Sequence, residues 1–289
     1  MSNYIQLHSK HFDFKKFVLS CLQEDVGDGD HTSLSTIPSQ HKGKMQLLVK
    51  EDGILAGVEA ALQIFKIIDK TIKVKLLLKD GTRVKKGDVA FFVEGKTQSL
   101  LTAERLVLNV MQRMSGIATK TAHLQILCSG TKAKVIDTRK TTPGFRFFEK
   151  WAVVIGGGAN HRYGLFDMIL IKDNHVDFAG GITQAIDAAN AYLKSKRKKL
   201  KIEVETRTIE DVKKVLKHGG VHRIMLDNYT PAQTKRAVQL INGRVEVESS
   251  GGITEKNIAK YAQAGVDFIS IGALTHHIKS LDLSLKALK

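Results

Sequence analysis

Apolar residues recur at helical spacing through Phe14, Phe17, Val18, Cys21 and Leu22, which predicts an amphipathic helix over residues 12–23. The acidic segment Glu24-Asp-Val-Gly-Asp-Gly-Asp30 follows. It lacks the twelfth-position glutamate of a calcium loop and reads as a structural turn. Short strand-like runs come next, at 45–49, 72–76 and 89–93, with turns at Asp80-Gly81 and Lys86-Gly87-Asp88 and a helix near 58–68. This is α+β patterning. Residues 98–129 carry a helical pattern, with a break expected near Ser115-Gly116.

From about residue 132 the pattern becomes strict alternation. Strand-like runs at 133–137, 168–172, 202–205, 224–227, 245–249 and 268–272 are separated by helical stretches, among them 209–218, 231–241 and 255–264. Such repetition implies parallel strands joined by right-handed crossovers. A full eight-unit barrel takes about 250 residues, so the stretch suits an open, incomplete barrel of six or seven strands. The strand ends favour this over an open Rossmann sheet. Asp137 with Arg139 and Lys140, Lys172-Asp173, Glu205, Asp227-Asn228, Ser249-Ser250 and Gly272 all fall where parallel strands finish. Parallel strands present those ends at one rim, which is where barrel enzymes build active sites.

Composition adds a charge constraint. Forty-five Lys and Arg against 29 Asp and Glu leave a net charge of +16 in 289 residues, with 43% hydrophobic and 26% charged residues. Those proportions exclude collagen, coiled-coil, disulfide-scaffold and disordered classes. The one dense basic run, Lys194 to Lys201, lacks interleaved aromatics and reads as a solvated loop rather than a nucleic-acid patch. The spread of the remaining charge suits a field that draws in a small polyanion. Cys21 and Cys128 both sit in apolar helical contexts and read as buried thiols. No apolar run approaches the roughly 18 residues of a membrane span, and the N-terminal residues carry no signal-peptide core. The expected home is the cytoplasm.

Sorted by charge, the rim offers Arg139, Lys140, Arg162 and Lys172 with His161 beside Arg162. Arg and Lys in such number recognise carboxylate and phosphate. Opposite them, Glu205 and Asp227 stand on consecutive strands. They can hold Mg²⁺ with a substrate's phosphates, stabilise a developing positive charge, or pair with the lysines to orient them. The final two strands lead into Ser249-Ser-Gly-Gly-Ile253 and Ile271-Gly-Ala-Leu-Thr275, where backbone N–H groups can approach a phosphate. The Gly156-Gly-Gly158 triplet is neither a P-loop nor a dinucleotide fingerprint. Two chemistries fit these residues: glycosyl-type transfer on a phosphorylated sugar with Mg²⁺, or Schiff-base chemistry at Lys140 or Lys172.

The ordered series Glu104-Arg105-Leu-Val-Leu-Asn109, Ser115-Gly-Ile-Ala-Thr119, Asp137-Thr-Arg-Lys-Thr-Thr-Pro-Gly144, Gly156-Gly-Gly-Ala-Asn-His-Arg162, Leu170-Ile-Lys-Asp-Asn-His175, Glu203-Val-Glu205, Leu226-Asp-Asn228 and Glu248-Ser-Ser-Gly-Gly-Ile253 resembles the quinolinate phosphoribosyltransferases. The likeness runs from the Glu24–Thr32 turn to about Thr275. It implies an N-terminal α/β sandwich domain, residues 1–115, followed by an open α/β barrel, residues 116–275, with the tail 276–289 packing back on the first domain. The implied reaction joins quinolinate to phosphoribosyl pyrophosphate, releasing pyrophosphate and CO₂ and giving nicotinate mononucleotide for NAD synthesis.

Carried over residue by residue, the resemblance gives Arg139, His161, Arg162 and Lys172 to the two carboxylates of quinolinate. Arg105 would be lent across a homo-oligomer interface of a dimer or multiple of dimers. Lys140 would lie between base and sugar, near pyrophosphate. Glu205 and Asp227 would serve ribose, Mg²⁺ and the oxocarbenium-like transition state, and Ser250, Gly251, Gly252 and Gly272 the 5′-phosphate. Val154 departs from the basic residue that many members carry ahead of the glycine triplet. No nucleic-acid or membrane partner is implied.

Overall fold

In the computed structural model, which describes residues 3–8 and 10–288, the chain opens with helices α1 (Asn3–His8), α2 (Phe14–Val26) and α3 (His31–Thr36). Then come β1 (Lys42–Val49), β2 (Gly53–Ile54), α4 (Val58–Ile68), β3 (Lys73–Leu76), β4 (Arg83–Val84), β5 (Val89–Lys96) and α5 (Thr97–Leu127). The second half runs β6 (Lys134–Ile136), α6 (Arg146–Ile155), β7 (Met168–Ile171), α7 (Asp173–Ala179), α8 (Ile182–Ser195), β8 (Lys201–Thr206), α9 (Ile209–His218) and β9 (Arg223–Asp227). It ends with α10 (Pro231–Ile241), β10 (Glu246–Ser250), α11 (Ile258–Gln263), β11 (Phe268–Ser270), α12 (Ala273–His276) and β12 (Leu283–Ala287).

Two compact units emerge, one of Met1–Ala122, Thr142–Gly157 and His277–Lys289, the other of His123–Thr141 and Gly158–His276. The first holds a four-stranded antiparallel sheet in the order β12-β1-β5-β3. Alternate β1 residues Met45, Leu47 and Val49 are buried, as the period of a one-sided strand requires. Helix α2 starts at Asp13, whose side chain accepts the Lys16 N–H at 2.9 Å, and α3 starts at Asp30, which accepts the Ser33 N–H at 3.0 Å. The acidic turn is therefore a helix-to-helix connection, and six-residue α3 is too short to show a period.

Helix α5 is continuous over 31 residues, so the break expected at Ser115-Gly116 is absent. Ser115 Oγ instead accepts the Ala56 N–H at 2.9 Å, and a Cβ on Gly116 would overlap the Lys279 carbonyl oxygen. Both residues are selected by a neighbour's close approach, not by the helix. Helix α6 belongs to this unit through an aromatic cluster: Phe147 stacks on Phe12 at 4.3 Å and Phe148 lies 4.9 Å from Phe17.

The second unit is the alternating part. Its six-stranded sheet has the order β6-β11-β10-β9-β8-β7, each neighbouring pair runs parallel, and β6 and β7 form its two edges. An open, incomplete α/β barrel results. All six strands coincide with the runs read from the pattern to within one or two residues, and α9 and α10 coincide with 209–218 and 231–241. Apolar core residues such as Val204, Ile224, Leu226 and Ile269 are fully buried in it.

Neither cysteine is in a disulfide. Cys128 is buried, but Cys21 is only half-buried, because α2 turns its apolar stripe more toward Val18. Burial raises both thiol pKa values. Among the described residues no helix is long and apolar enough to cross a membrane. The basic run occupies the end of α8 and the exposed connection to β8.

Candidate active site

Parallel register places successive strand ends side by side, and a cavity of about 720 Å³ opens there, within the second unit. That volume is in the range of about 300–1,000 Å³ usual for small-ligand pockets. Arg139, Lys140, His161, Arg162 and Lys172 all line it. Asp227 and the loops of Ser250, Gly251, Gly252 and Gly272 complete it.

Beyond β6 the chain turns so that Arg139 and Lys140 are exposed to the cavity. Thr275 Oγ1 donates to the Lys140 carbonyl at 2.7 Å, and Lys140 N donates to Thr138 Oγ1 at 3.0 Å, so the backbone beneath the lysine is fixed from both sides. Asp137 is fully buried rather than a rim ligand. It accepts the Asn160 side chain at 2.6 Å and the His161 N–H at 3.0 Å, tying the His161-Arg162 segment to the end of β6. Arg162 donates to the Met168 carbonyl at 3.2 Å. Burial and the neighbouring Arg139 together lower its pKa, which marks a crowded cationic wall.

Lys172 stands at the start of α7, its Nζ 3.3 Å from Glu205 Oε2. Glu205 is largely buried and does not line the cavity, whereas Asp227 does. The two carboxylates are thus not equivalent. Asn228, held at φ 57, donates through Nδ2 to Asp227 Oδ2 at 2.7 Å and fixes that carboxylate. For a hard divalent cation the donor set fits in kind: Asp227 faces the cavity, Glu205 pairs with Met225, two residues before Asp227 on the adjacent strand, and Mg²⁺ takes the rest of its shell from water and phosphate.

The loop after β10 has Gly251 at φ 89 and Gly252 at φ 60, a left-handed pair that glycine adopts without strain, and both residues line the cavity. Gly272 is needed for space: a Cβ there would come within 2.9 Å of Lys140 Cδ and 3.2 Å of His276 Nε2. Lys140 therefore lies over the last phosphate-type loop. His276 also lines the cavity and had no motif to announce it. Arg105 is exposed on α5 and is not among the cavity-lining residues.

Beneath the rim lies an ionic layer that strand-end reasoning missed. Glu203 and Glu248 are both fully buried. Burial and, for Glu248, the adjacent Glu203 push these carboxyls up, to about 7 and about 8 respectively, against the pull of Arg223. His161 Nε2 stands 3.1 Å from Glu203 and 3.5 Å from Glu248. His161, Glu203 and Glu248 cluster closely enough to suggest a metal site, but Arg223 Nη1 is already 3.0 Å from Glu248 and supplies the positive charge. The signal was present in Glu203-Val-Glu205, since residues two apart on a strand share a face.

An open α/β barrel with a cationic cavity, a facing carboxylate and glycine loops at its C-terminal strand ends is the arrangement of a barrel enzyme that handles a small polyanion. Residues 30–115 match the family model for the quinolinate phosphoribosyl transferase N-terminal domain, and residues 117–286 that for its C-terminal domain. The chain is 48% identical to the chloroplastic nicotinate-nucleotide pyrophosphorylase [carboxylating] of Arabidopsis thaliana, over 95% of this chain and 83% of that one. It is 45% identical to quinolinate phosphoribosyltransferase [decarboxylating] 1b of Nicotiana tabacum, over 95% and 82%. The solved nicotinate-nucleotide pyrophosphorylase of Francisella tularensis superposes with a TM-score of 0.88 at 38% identity, over 95% and 96%. The chain belongs to the quinolinate phosphoribosyltransferase family.

Proposed function

We propose that this chain transfers the phosphoribosyl group of phosphoribosyl pyrophosphate to quinolinate with loss of CO₂, giving nicotinate mononucleotide and pyrophosphate for NAD biosynthesis. The observation that carries the reading is the gathering of Arg139, Arg162 and Lys172 in one cavity with Asp227 and two glycine loops. A planar dianion needs the first and a phosphorylated sugar the second.

The pyridine nitrogen attacks the anomeric carbon as the bond to pyrophosphate breaks, so positive charge builds on the ribose ring. Asp227, with Glu205 behind it, stabilises that charge. Arg139, Arg162 and Lys172, with His161 beside them, hold the two carboxylates and orient the ring. Lys140 lies between base and departing pyrophosphate. Ser250, Gly251, Gly252 and Gly272 receive the 5′-phosphate. After transfer the 2-carboxylate leaves as CO₂, its electron pair staying on the ring carbon until a proton replaces it. The quaternised ring nitrogen and the cationic wall stabilise that pair. Glu205 and Asp227 would hold Mg²⁺, which neutralises phosphate charge when bound.

Arg105 would complete the site of a neighbouring copy in a homo-oligomer. Two unpaired cysteines suit a reducing, cytoplasmic setting.

Quinolinate labelled with ¹³C in its 2-carboxylate tests the reaction. With phosphoribosyl pyrophosphate and Mg²⁺ it should release one labelled CO₂ per pyrophosphate, and an excess of EDTA should stop both. Pyrophosphate without labelled CO₂ would contradict the reading.

A further inference from the structure

Barrel interiors are ordinarily filled with branched apolar side chains. Here register sets Glu203, Arg223 and Glu246 in a row across β8, β9 and β10. Glu248, two residues further along β10, joins them: Arg223 Nη1 is 3.0 Å from Glu248 and 3.8 Å from Glu203. The guanidinium is fixed on every side. Its Nε and Nη2 donate to Glu246 at 3.2 and 3.1 Å, and its plane lies 3.9 Å from the Phe268 ring.

Desolvating such ions costs more than an apolar layer of equal volume, so stability is a poor reason for the layer. The layer reaches the cavity at Glu248 and, next to it, at His161, both of which line it. The His161 Nδ1 accepts the Arg162 N–H at 2.7 Å, so the ring proton belongs on Nε2, and Nε2 stands at ion-pair distance from Glu203, 3.1 Å, and Glu248, 3.5 Å, contacts of charge rather than aligned hydrogen bonds. The ring is thereby held in one tautomer and one orientation. The turn it braces is the one that presents Arg162 to the cavity.

We propose that Glu203, Glu248 and Arg223 are positioning residues for recognition of the dicarboxylate: from the cavity floor, which Glu248 lines, and from beneath it they hold the His161 imidazole, and through it the Arg162 turn. The inference rests on the function proposed above. Glu248 also accepts a hydrogen bond from Ser270 at the end of β11, but His161 and Arg162 are the side chains the network braces, so its effect falls first on the dicarboxylate. A lock that is in place before binding spares the substrate the cost of ordering the clamp.

Glu203→Gln and Glu248→Gln keep side-chain volume and each removes one titratable carboxyl. Two readouts apply, steady-state KM for each substrate and the ¹⁵N spectrum of histidine-labelled protein, with the His161 signals assigned from His161→Asn. The expected result is a quinolinate KM raised at least tenfold, a phosphoribosyl pyrophosphate KM within twofold of wild type, and loss of the single Nε2-protonated pattern of His161. Should one variant fail to fold, the other carries the same test. Equal rises in both KM values, or an unchanged quinolinate KM, would overturn the proposal. Absence of wild-type turnover would instead defeat the proposed function, and the spectrum then decides alone: His161 signals like those of wild type in the variants overturn the lock.

Discussion

Lys172 Nζ lies 3.3 Å from Glu205 Oε2, so a lysine assigned to the base is paired with a carboxylate assigned to the sugar. The pair couples the two halves of the site. Without Lys172, Glu205 is left as an uncompensated, largely buried charge. Glu205→Gln should lower kcat by about 100-fold, the scale of one preorganised electrostatic contact, and Lys172→Met should raise the quinolinate KM by about tenfold or more. The double variant should be less impaired than the product of the two, with a coupling of about 0.5–3 kcal/mol. Kinetics on all three variants check this; strictly additive effects would contradict the pairing.

Arg139 is exposed on the cavity wall, and its charge is felt by Arg162. Arg139→Ala should weaken quinolinate binding by about 2–5 kcal/mol, as for a charge pair closed on binding, and leave sugar-phosphate binding within a few-fold. Calorimetric titration with each ligand separates the two. Equal losses would remove Arg139 from the dicarboxylate clamp.

Gly272→Ala places a methyl 2.9 Å from Lys140 Cδ and 3.2 Å from His276 Nε2, both ends of flexible side chains. The fold should therefore tolerate it, with a melting temperature within about 2 °C, the equivalent of a surface change of about 0.5 kcal/mol. Displacement of Lys140 should still cost about tenfold in kcat/KM for phosphoribosyl pyrophosphate, as a misplacement of about 1 Å does elsewhere. A large loss of stability with normal kinetics would contradict this reading of Lys140.

The Glu248 carboxyl is raised from 4.5 to about 8 by burial and by Glu203, against the opposing pull of His161 and Arg223. A carboxyl whose folded pKa is raised favours folding while it is protonated. Its contribution is whole below about pH 4.5 and is lost as pH climbs toward 8. Glu248→Gln, permanently neutral, should escape this loss. Its melting temperature should rise relative to wild type between pH 5 and pH 8; melting curves that shift in parallel would contradict the burial argument.

In the first unit, buried Glu149 accepts Arg113 Nη2 at 2.8 Å and Nε at 3.1 Å, together with the Thr142 N–H at 3.0 Å. Glu149→Ala strands the guanidinium and should cost about 3–5 kcal/mol. Urea denaturation followed by tryptophan fluorescence at Trp151 reports it, because Trp151 shares α6 with Glu149. An unchanged midpoint would show that the pair is not needed.

The strands of the second unit were legible because each is a short apolar run closed by a polar residue, and the shared rim followed from parallel pairing alone. Arg139, Lys140, Lys172 and Asp227 could be picked out for that reason, Arg162 only by its charge and its place in a motif, and all line one cavity. Asp137 could not be read correctly. A polar residue at a strand end has the same pattern whether it faces substrate or, as here, bonds Asn160 and the His161 backbone. Gly116 misled in the same way: glycine in a helix predicts a break unless the carbonyl that needs its space, that of Lys279, is known. Glu203 and Glu248 were hidden because charge inside a barrel runs against the apolar rule, and only Arg223 explains it.

The proposed function gives the cationic side chains of the cavity two carboxylates to hold. The most direct measurement compares quinolinate with nicotinate, which has one, in parallel incubations with phosphoribosyl pyrophosphate and Mg²⁺, with nicotinate mononucleotide detected by mass spectrometry. Product from quinolinate alone is the predicted result. Product from nicotinate at a similar rate would contradict the dicarboxylate clamp.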